Sequence, residues 1–197
     1  MDLILLAAEE EFKRGGFAGS TTAAIAARAG VTETQLFRYF ASKADLFREA
    51  IFTPLNRHFS DFNTGHLRDA AQSETHREKV RQYTIELQHF IDDHSKMLLS
   101  LIVARTYAPE TTGAGQIDSL QTYFERGAAM MAGRIGSEPA VDPKLMVRVS
   151  FAAVLGSVLF KDWLFPEGLA TDDQISAAII DFVLDGINAN AGTNHDA

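Results

Sequence analysis

The chain has 197 residues, 46% hydrophobic and 22% charged, enough for one domain or two small ones around a real core. Its formal charge of −8 argues against a protein that coats nucleic acid or membrane over its whole surface, yet leaves room for one small basic reading patch. The absence of cysteine excludes disulfide frameworks, thiolate metal sites and cysteine nucleophiles, and fits a reducing compartment.

The apolar start Leu3–Ala8 lacks a basic leader and runs into Glu9, Glu10 and Glu11, so it does not read as a targeting signal. The longest apolar stretch, from Phe151 to Phe160, is interrupted by Gly156 and Ser157 and falls short of the roughly 20 residues a membrane span needs. The expectation is a soluble, cytoplasmic protein with no membrane partner.

Apolar residues recur at intervals of three and four, first at Ile4, Ala8 and Phe12, then at Ile25 and Ala29. A later stripe holds Val80, Tyr83, Leu87, Phe90 and Ile91. Strand-like alternation is hard to find, so the fold class is all-α. Capping-box spacing occurs at Thr32 with Gln35, Ser42 with Asp45, Thr75 with Glu78 and Thr171 with Gln174, and Asp142-Pro143 suits a helix start. Breaks fall at Gly15-Gly16, Gly30, 109–115, 136–143 and 166–168. About nine helices are predicted, near 2–14, 22–29, 33–39, 43–63, 75–92, 96–107, 116–135, 143–164 and 172–189, with a frayed tail over 191–197.

Residues 21–40 read TTAAIAARAGVTETQLFRYF. Thr21 or Thr22 caps a two-turn helix whose Ile25 and Ala29 face inward, and the small Ala26 lets a second helix approach. Gly30 then permits a left-handed helix end, Val31 plugs the turn, and Thr32 caps the next helix. Leu36 and Phe40 point to the core, which leaves Glu33, Thr34, Gln35, Phe37, Arg38 and Tyr39 on or near the outer face. This is a helix-turn-helix whose second helix is the candidate reader of a major groove.

Around it, Ala7-Ala8, Phe12, Gly16-Phe17, Thr21-Thr22, Ile25-Ala26, Ala29-Gly30-Val31, Leu36-Phe37, Tyr39-Phe40, Ser42-Lys43 and Leu46 occur in one order and spacing. Together they resemble the DNA-binding domain of the tetracycline-repressor (TetR) family over residues 4–47. The resemblance implies a three-helix helix-turn-helix domain over 1–48 (motif 21–40), joined by a long helix to a helical bundle over 49–190 that binds a small molecule and dimerises. It implies a homodimeric repressor of a double-stranded DNA operator, with no enzyme activity and no cofactor.

Carried onto this sequence, Thr22 and Lys43 match phosphate contacts, and Thr32, Thr34, Gln35 and Arg38 match positions near bases or backbone. Phe37 and Tyr39 match a pair, usually tyrosine then histidine, that presses on the sugar-phosphate chain. Phe37 lacks the hydroxyl, Thr34 stands where glycine is commoner, and with a first helix starting almost at Met1 no minor-groove reading by a basic arm is expected. Gln35 serves equally well as a base contact or as the partner of Thr32 in a capping box. Charge agrees with the motif: residues 28–48 hold four cations and two anions, a local +2 that leaves −10 elsewhere.

No nucleophile accompanies the adjacent Asp92 and Asp93, and the six histidines lack metal-ligand spacing, so no catalytic or metal site is expected. In the C-terminal half Phe59, Phe62, Phe90, Met97, Tyr123 and Phe124 are candidates to line a pocket for a largely apolar effector, although ordinary bundle packing explains any one of them. Ala152, Ala153 and Gly156, with Ala177, Ala178 and Gly186, give small-residue faces to the helices near 143–164 and 172–189, the expected dimer interface. The competing reading is a helical-bundle enzyme or small-molecule carrier with an incidental helix-turn-helix.

Overall fold

The computed structural model describes residues 1–68, 76–107, 117–132 and 141–188. Thr75, the breaks at 109–115 and 136–140, and the tail at 191–197 lie outside the described residues. The described residues form ten helices and no strand. In chain order these are α1 (Asp2–Gly19), α2 (Thr22–Arg28), α3 (Glu33–Leu36), α4 (Lys43–Arg68) and α5 (His76–Asp93). There follow α6 (Ser95–Tyr107), α7 (Asp118–Ala132), α8 (Pro143–Leu159), α9 (Lys161–Leu164) and α10 (Asp172–Asn188).

The caps explain most boundaries. Asp142 accepts from Lys144 N at 2.8 Å with Pro143 in the first turn, and Thr171 and Gln174 exchange both bonds of a capping box. Asp45 N donates to Ser42 Oγ at 3.1 Å and opens α4. Three predicted helices need correction. The first runs on to Gly19 because Gly16, at φ 64 and ψ −173, breaks the helical path for a single residue. The expected helix 143–164 is two, since Phe160 leaves helical geometry at φ −111 and ψ 25 and α9 starts afresh. The helix expected over 33–39 is regular only to Leu36 and then tightens into turns bonded from Arg38 N to Gln35 O and Tyr39 N to Leu36 O.

The chain divides into two compact units, Met1–His58 with Asp93–Gln121, and Phe59–Asp92 with Thr122–Ala197. In the first, Phe12 meets Phe47 edge-on with ring centroids 4.5 Å apart, inside a core that includes Ile25, Leu36, Leu46, Ile51 and Met97. Helix α6 is fastened to α1 at two places. His94 Nε2 donates to Glu9 Oε1 at 3.2 Å, beside an ion pair from Lys13 at 2.7 Å. One and a half turns on, Phe17 N donates to Ser100 Oγ at 3.0 Å. In the second unit α8 packs on α10, burying Met146, Phe151, Val154, Ile175, Ile179, Ile180, Val183 and Leu184. No described helix is long and apolar enough to cross a membrane.

The hydrogen bond from His94, with help from Lys13, holds the Glu9 carboxyl down at about 2. A depressed carboxylate adds stability above its unfolded value of 4.5, and that contribution fades as pH falls from there toward 2. Wild type and Glu9→Gln should therefore differ in denaturant midpoint above pH 5 and converge toward pH 2; a gap independent of pH would refute the linkage. Gly16→Ala must place a Cβ at positive φ and 3.2 Å from Ser100 Oγ. It should cost about 1–3 kcal/mol of unfolding free energy. Gly19→Ala, whose Cβ meets nothing within 4 Å, is the control in the same melts.

Candidate nucleic-acid interface

Thr21, not Thr22, caps α2 by accepting from Ala24 N at 3.1 Å. Helix α2 ends in a paired turn: Gly30 N donates to Ala27 O and Val31 N to Ala26 O, with Gly30 at φ 69. This double closure needs a left-handed residue at Gly30, and it turns the chain sharply enough to start α3 two residues later. Thr32 and Gln35 then form a complete capping box: Thr32 N donates to Gln35 Oε1 at 2.9 Å and Gln35 N to Thr32 Oγ1 at 3.2 Å. The box occupies the carbonyl end of Gln35, so its amide nitrogen is the end that can donate elsewhere.

Leu36 is fully buried and Phe40 nearly so, and both are in the core as predicted. Glu33, Thr34, Gln35, Phe37, Arg38 and Tyr39 are exposed, with Phe37 at 46% and Tyr39 at 58%. Two large aromatic rings left in solvent beside a polar helix face are an unusual placement, since burying such a ring ordinarily stabilises by about 1.5–3 kcal/mol. Lys43, at the start of α4, sits with its Nζ over the Phe17 ring, 4.7 Å from the centroid. Partial burial there pushes its pKa down, opposed by attraction to the ring face.

The charge count requires a correction. Arg28 does not add to a basic patch, because α1 brings up two carboxylates: its guanidinium lies 2.8 Å from Glu10 and 2.7 Å from Glu11. The Arg28 hydrogen bond, with Arg14 nearby, holds Glu11 below the usual carboxylate range. Arg48 is paired with Asp45 at 3.2 Å. Arg38 and Lys43 are the segment's cations with no ion-pair partner among the described residues. Thr22 Oγ1 donates to Glu33 Oε1 at 2.5 Å, so the expected phosphate contact is directed at a carboxylate. Sequence reasoning misses Glu33 as a site residue, although its place at the start of α3 is legible.

The second unit holds an aromatic cluster. Tyr83 and Tyr123 share a hydrogen bond of 2.7 Å between their hydroxyls, and burial pushes both phenols up. Phe59 packs edge-on against both, at 5.4 and 5.2 Å, and Phe62 against Tyr83 at 5.1 Å. Phe124 and Phe151 continue the cluster from Tyr123, and the Arg148 guanidinium caps Phe124 at 4.8 Å. Four of the six expected pocket residues, Phe59, Phe62, Tyr123 and Phe124, thus meet here. Phe90 is half-buried on α5 in the same unit. Met97 instead belongs to the core of the first unit. In the sequence Tyr83 is only part of a helical stripe; its direct bond to Tyr123, forty residues on, has no sequence signal. No group of three or more His, Asp or Glu side chains suited to a metal occurs among the described residues.

The sequence profile of bacterial regulatory proteins of the tetR family matches residues 4–50. No curated protein matches the chain. The fold is similar to that of a candidate TetR-family transcriptional regulator from Rhodococcus sp., with TM-score 0.68, 18% identity, and 94% of this chain and 97% of that one covered. It is also similar to a candidate TetR-family regulator from Mesorhizobium loti, with TM-score 0.64, 16% identity, and 95% and 94% covered. A third likeness is to the transcriptional regulator FadR from Bacillus subtilis, a structure in complex with stearoyl-CoA, with TM-score 0.56, 17% identity, and 94% and 98% covered.

Proposed function

Because residues 4–50 match the profile of the tetR family of bacterial regulatory proteins, we propose that the chain is a ligand-responsive transcriptional repressor acting in the cytoplasm on a palindromic operator. The observation that carries this reading is the exposed face of α3: polar side chains on a helix locked by caps at both ends, flanked by solvent-exposed Phe37 and Tyr39 and by Arg38 and Lys43. Thr32, Thr34, Gln35 and Arg38 approach base edges and adjacent backbone. Lys43 binds phosphate, Phe37 and Tyr39 press on sugars, and Thr22 reaches a phosphate only if its hydroxyl leaves Glu33.

Two copies are needed to read two half-sites, about 34–36 Å apart along the duplex. The surface of α8 to α10 supports a homodimer, since Leu145, Val149, Leu164, Leu169, Phe182 and Trp163 are all more than half exposed. Gly156 is open on this side, with nothing within 4 Å of an added Cβ. The effector site is assigned to the ring cluster around Phe59, Phe62, Tyr123 and Phe124, with Phe90 as a candidate neighbour. An effector entering it must bring an apolar body, and if it parts the Tyr83–Tyr123 hydroxyls it must also replace their shared hydrogen bond, because a buried hydroxyl left unpaired costs about 1–3 kcal/mol. The stearoyl-CoA complex of the Bacillus subtilis FadR is in keeping with a largely apolar ligand. Release of DNA requires that the effector bind the non-reading state more tightly than the reading one.

Lys43→Ala should weaken binding to every duplex alike and reduce the salt slope by about one unit for each phosphate it no longer neutralises. Arg38→Ala should cost about 1–3 kcal/mol and relax preference at one symmetric position. Fluorescence anisotropy across a salt series reads both, and unchanged binding in both variants would remove the helix-turn-helix as a DNA reader. Light scattering should find a dimer at micromolar concentration and a monomer for Gly156→Arg; a monomeric wild type would refute the interface.

A further inference from the structure

Glu33 is the first residue of α3, exposed, and the helix's one acidic side chain. A carboxylate on a surface that meets DNA opposes every phosphate near it, so its presence weakens binding to all sequences unless it also recognises something. What it can recognise is narrow. An ionised carboxylate only accepts hydrogen bonds. In the major groove guanine offers N7 and O6 and thymine offers O4, all acceptors, which repel it. Adenine has an N6 donor but places the N7 acceptor beside it, whereas cytosine offers its N4 amino group without an adjacent acceptor. The N-terminal residues of a recognition helix are the ones that meet base edges.

The Thr22 hydroxyl is the second half of the arrangement. It has one hydrogen to donate, and that hydrogen goes to Glu33 Oε1 at 2.5 Å across the α2–α3 turn. This bond fixes one carboxylate oxygen and leaves the other to accept, while the rigid turn at Gly30 holds the two residues in register. The geometry points to Glu33 as a specificity-determining residue that accepts from a cytosine amino group in each half-site, with Thr22 as its positioning residue rather than a phosphate donor. This inference rests on the proposed DNA-binding function. A role for Glu33 confined to the helix dipole would stabilise α3 equally well but would leave no trace in sequence preference.

The test is selection from a randomised palindromic duplex pool by the full-length wild type, Glu33→Gln, Thr22→Val and Thr22→Ser, with affinities then measured for cognate and non-cognate duplexes. Wild type should enrich a symmetric cytosine, and Glu33→Gln should change that position alone to adenine, which glutamine reads through N6 and N7. Thr22→Val should reduce the preference for cytosine there about tenfold, with Thr22→Ser restoring it. A Glu33→Gln variant that selects the wild-type sequence at every position would overturn the assignment. Equal weakening of all duplexes by Thr22→Val would make Thr22 a phosphate contact and overturn its positioning role. A wild type that enriches no duplex would remove the DNA-binding reading itself, and this inference with it.

Discussion

The fully buried ring of Phe47 is the contact on which the first unit depends. Phe12 from α1 meets it edge-on at 4.5 Å and Phe17 leans on it at 5.2 Å, so α1 and α4 are joined through one side chain. Helix α3 needs that support because it is a single regular turn. An isolated turn fixes several backbone dihedrals for one hydrogen bond and does not persist in water. Its position is therefore imposed by its ends: the paired bonds at Gly30 and Val31 before it, its own buried last residue Leu36, and the buried Phe40 after it. Phe17 extends the same cluster outward, since its ring carries Lys43. The core contact and the cation facing solvent are two sides of one aromatic arrangement.

Much of this is legible in the sequence because it is local chemistry. The Thr32–Gln35 box, the Ser42 cap and the glycine at Gly30 are encoded within four residues of where they act, and each is found in the structure. Helix periodicity places Leu36 and Phe40 inside and Phe37 and Tyr39 outside, because alternation at three and four determines which side a residue takes. Longer-range partners are illegible. Arg28 reads as a DNA-facing cation until α1 folds back and sets Glu10 and Glu11 against it, 18 and 17 positions earlier in the chain. Met97 reads as a candidate pocket residue, yet α6 joins the first unit through Glu9 and Ser100, two contacts with no sequence signature. The break at Phe160 is hidden for another reason. Neither glycine nor proline marks it, and the apolar pattern runs on through Trp163 and Leu164.

The electrostatics of the reading face follow from these pairings. A chain of net charge −8 meets a polyanion with weak or repulsive long-range forces, so any binding must be assembled at close range. With Arg28 held by α1 and Arg48 by Asp45, the cations facing outward are few, and Glu33 offsets part of them. Such a surface suppresses non-specific binding, which is almost wholly a phosphate effect. Discrimination then rests on geometry, which is what the double turn closure and the capping box supply.

Helix α4 belongs to both units, since it runs from Lys43 to Arg68 and the boundary falls after His58. Its first residue, Lys43, lies over Phe17; Phe47, Ile51 and Leu55 are buried along its first half; Phe59 and Phe62 belong to the ring cluster of the second unit. Pro54 lies inside it, four residues before the unit boundary at His58, and its missing N–H removes one bond of the helical ladder. A helix weakened at one point bends there at least cost. The proposed effector site at the rings around Phe59 and the proposed phosphate contact at Lys43 thus lie on one helix, on either side of Pro54. The coupling can be no larger than the difference in the effector's affinity for the two arrangements, because a ligand that binds both equally shifts neither. Under the proposed function that difference has to be made at Phe59, Phe62 and the tyrosine pair, where ring packing and a buried hydrogen bond share the same side chains.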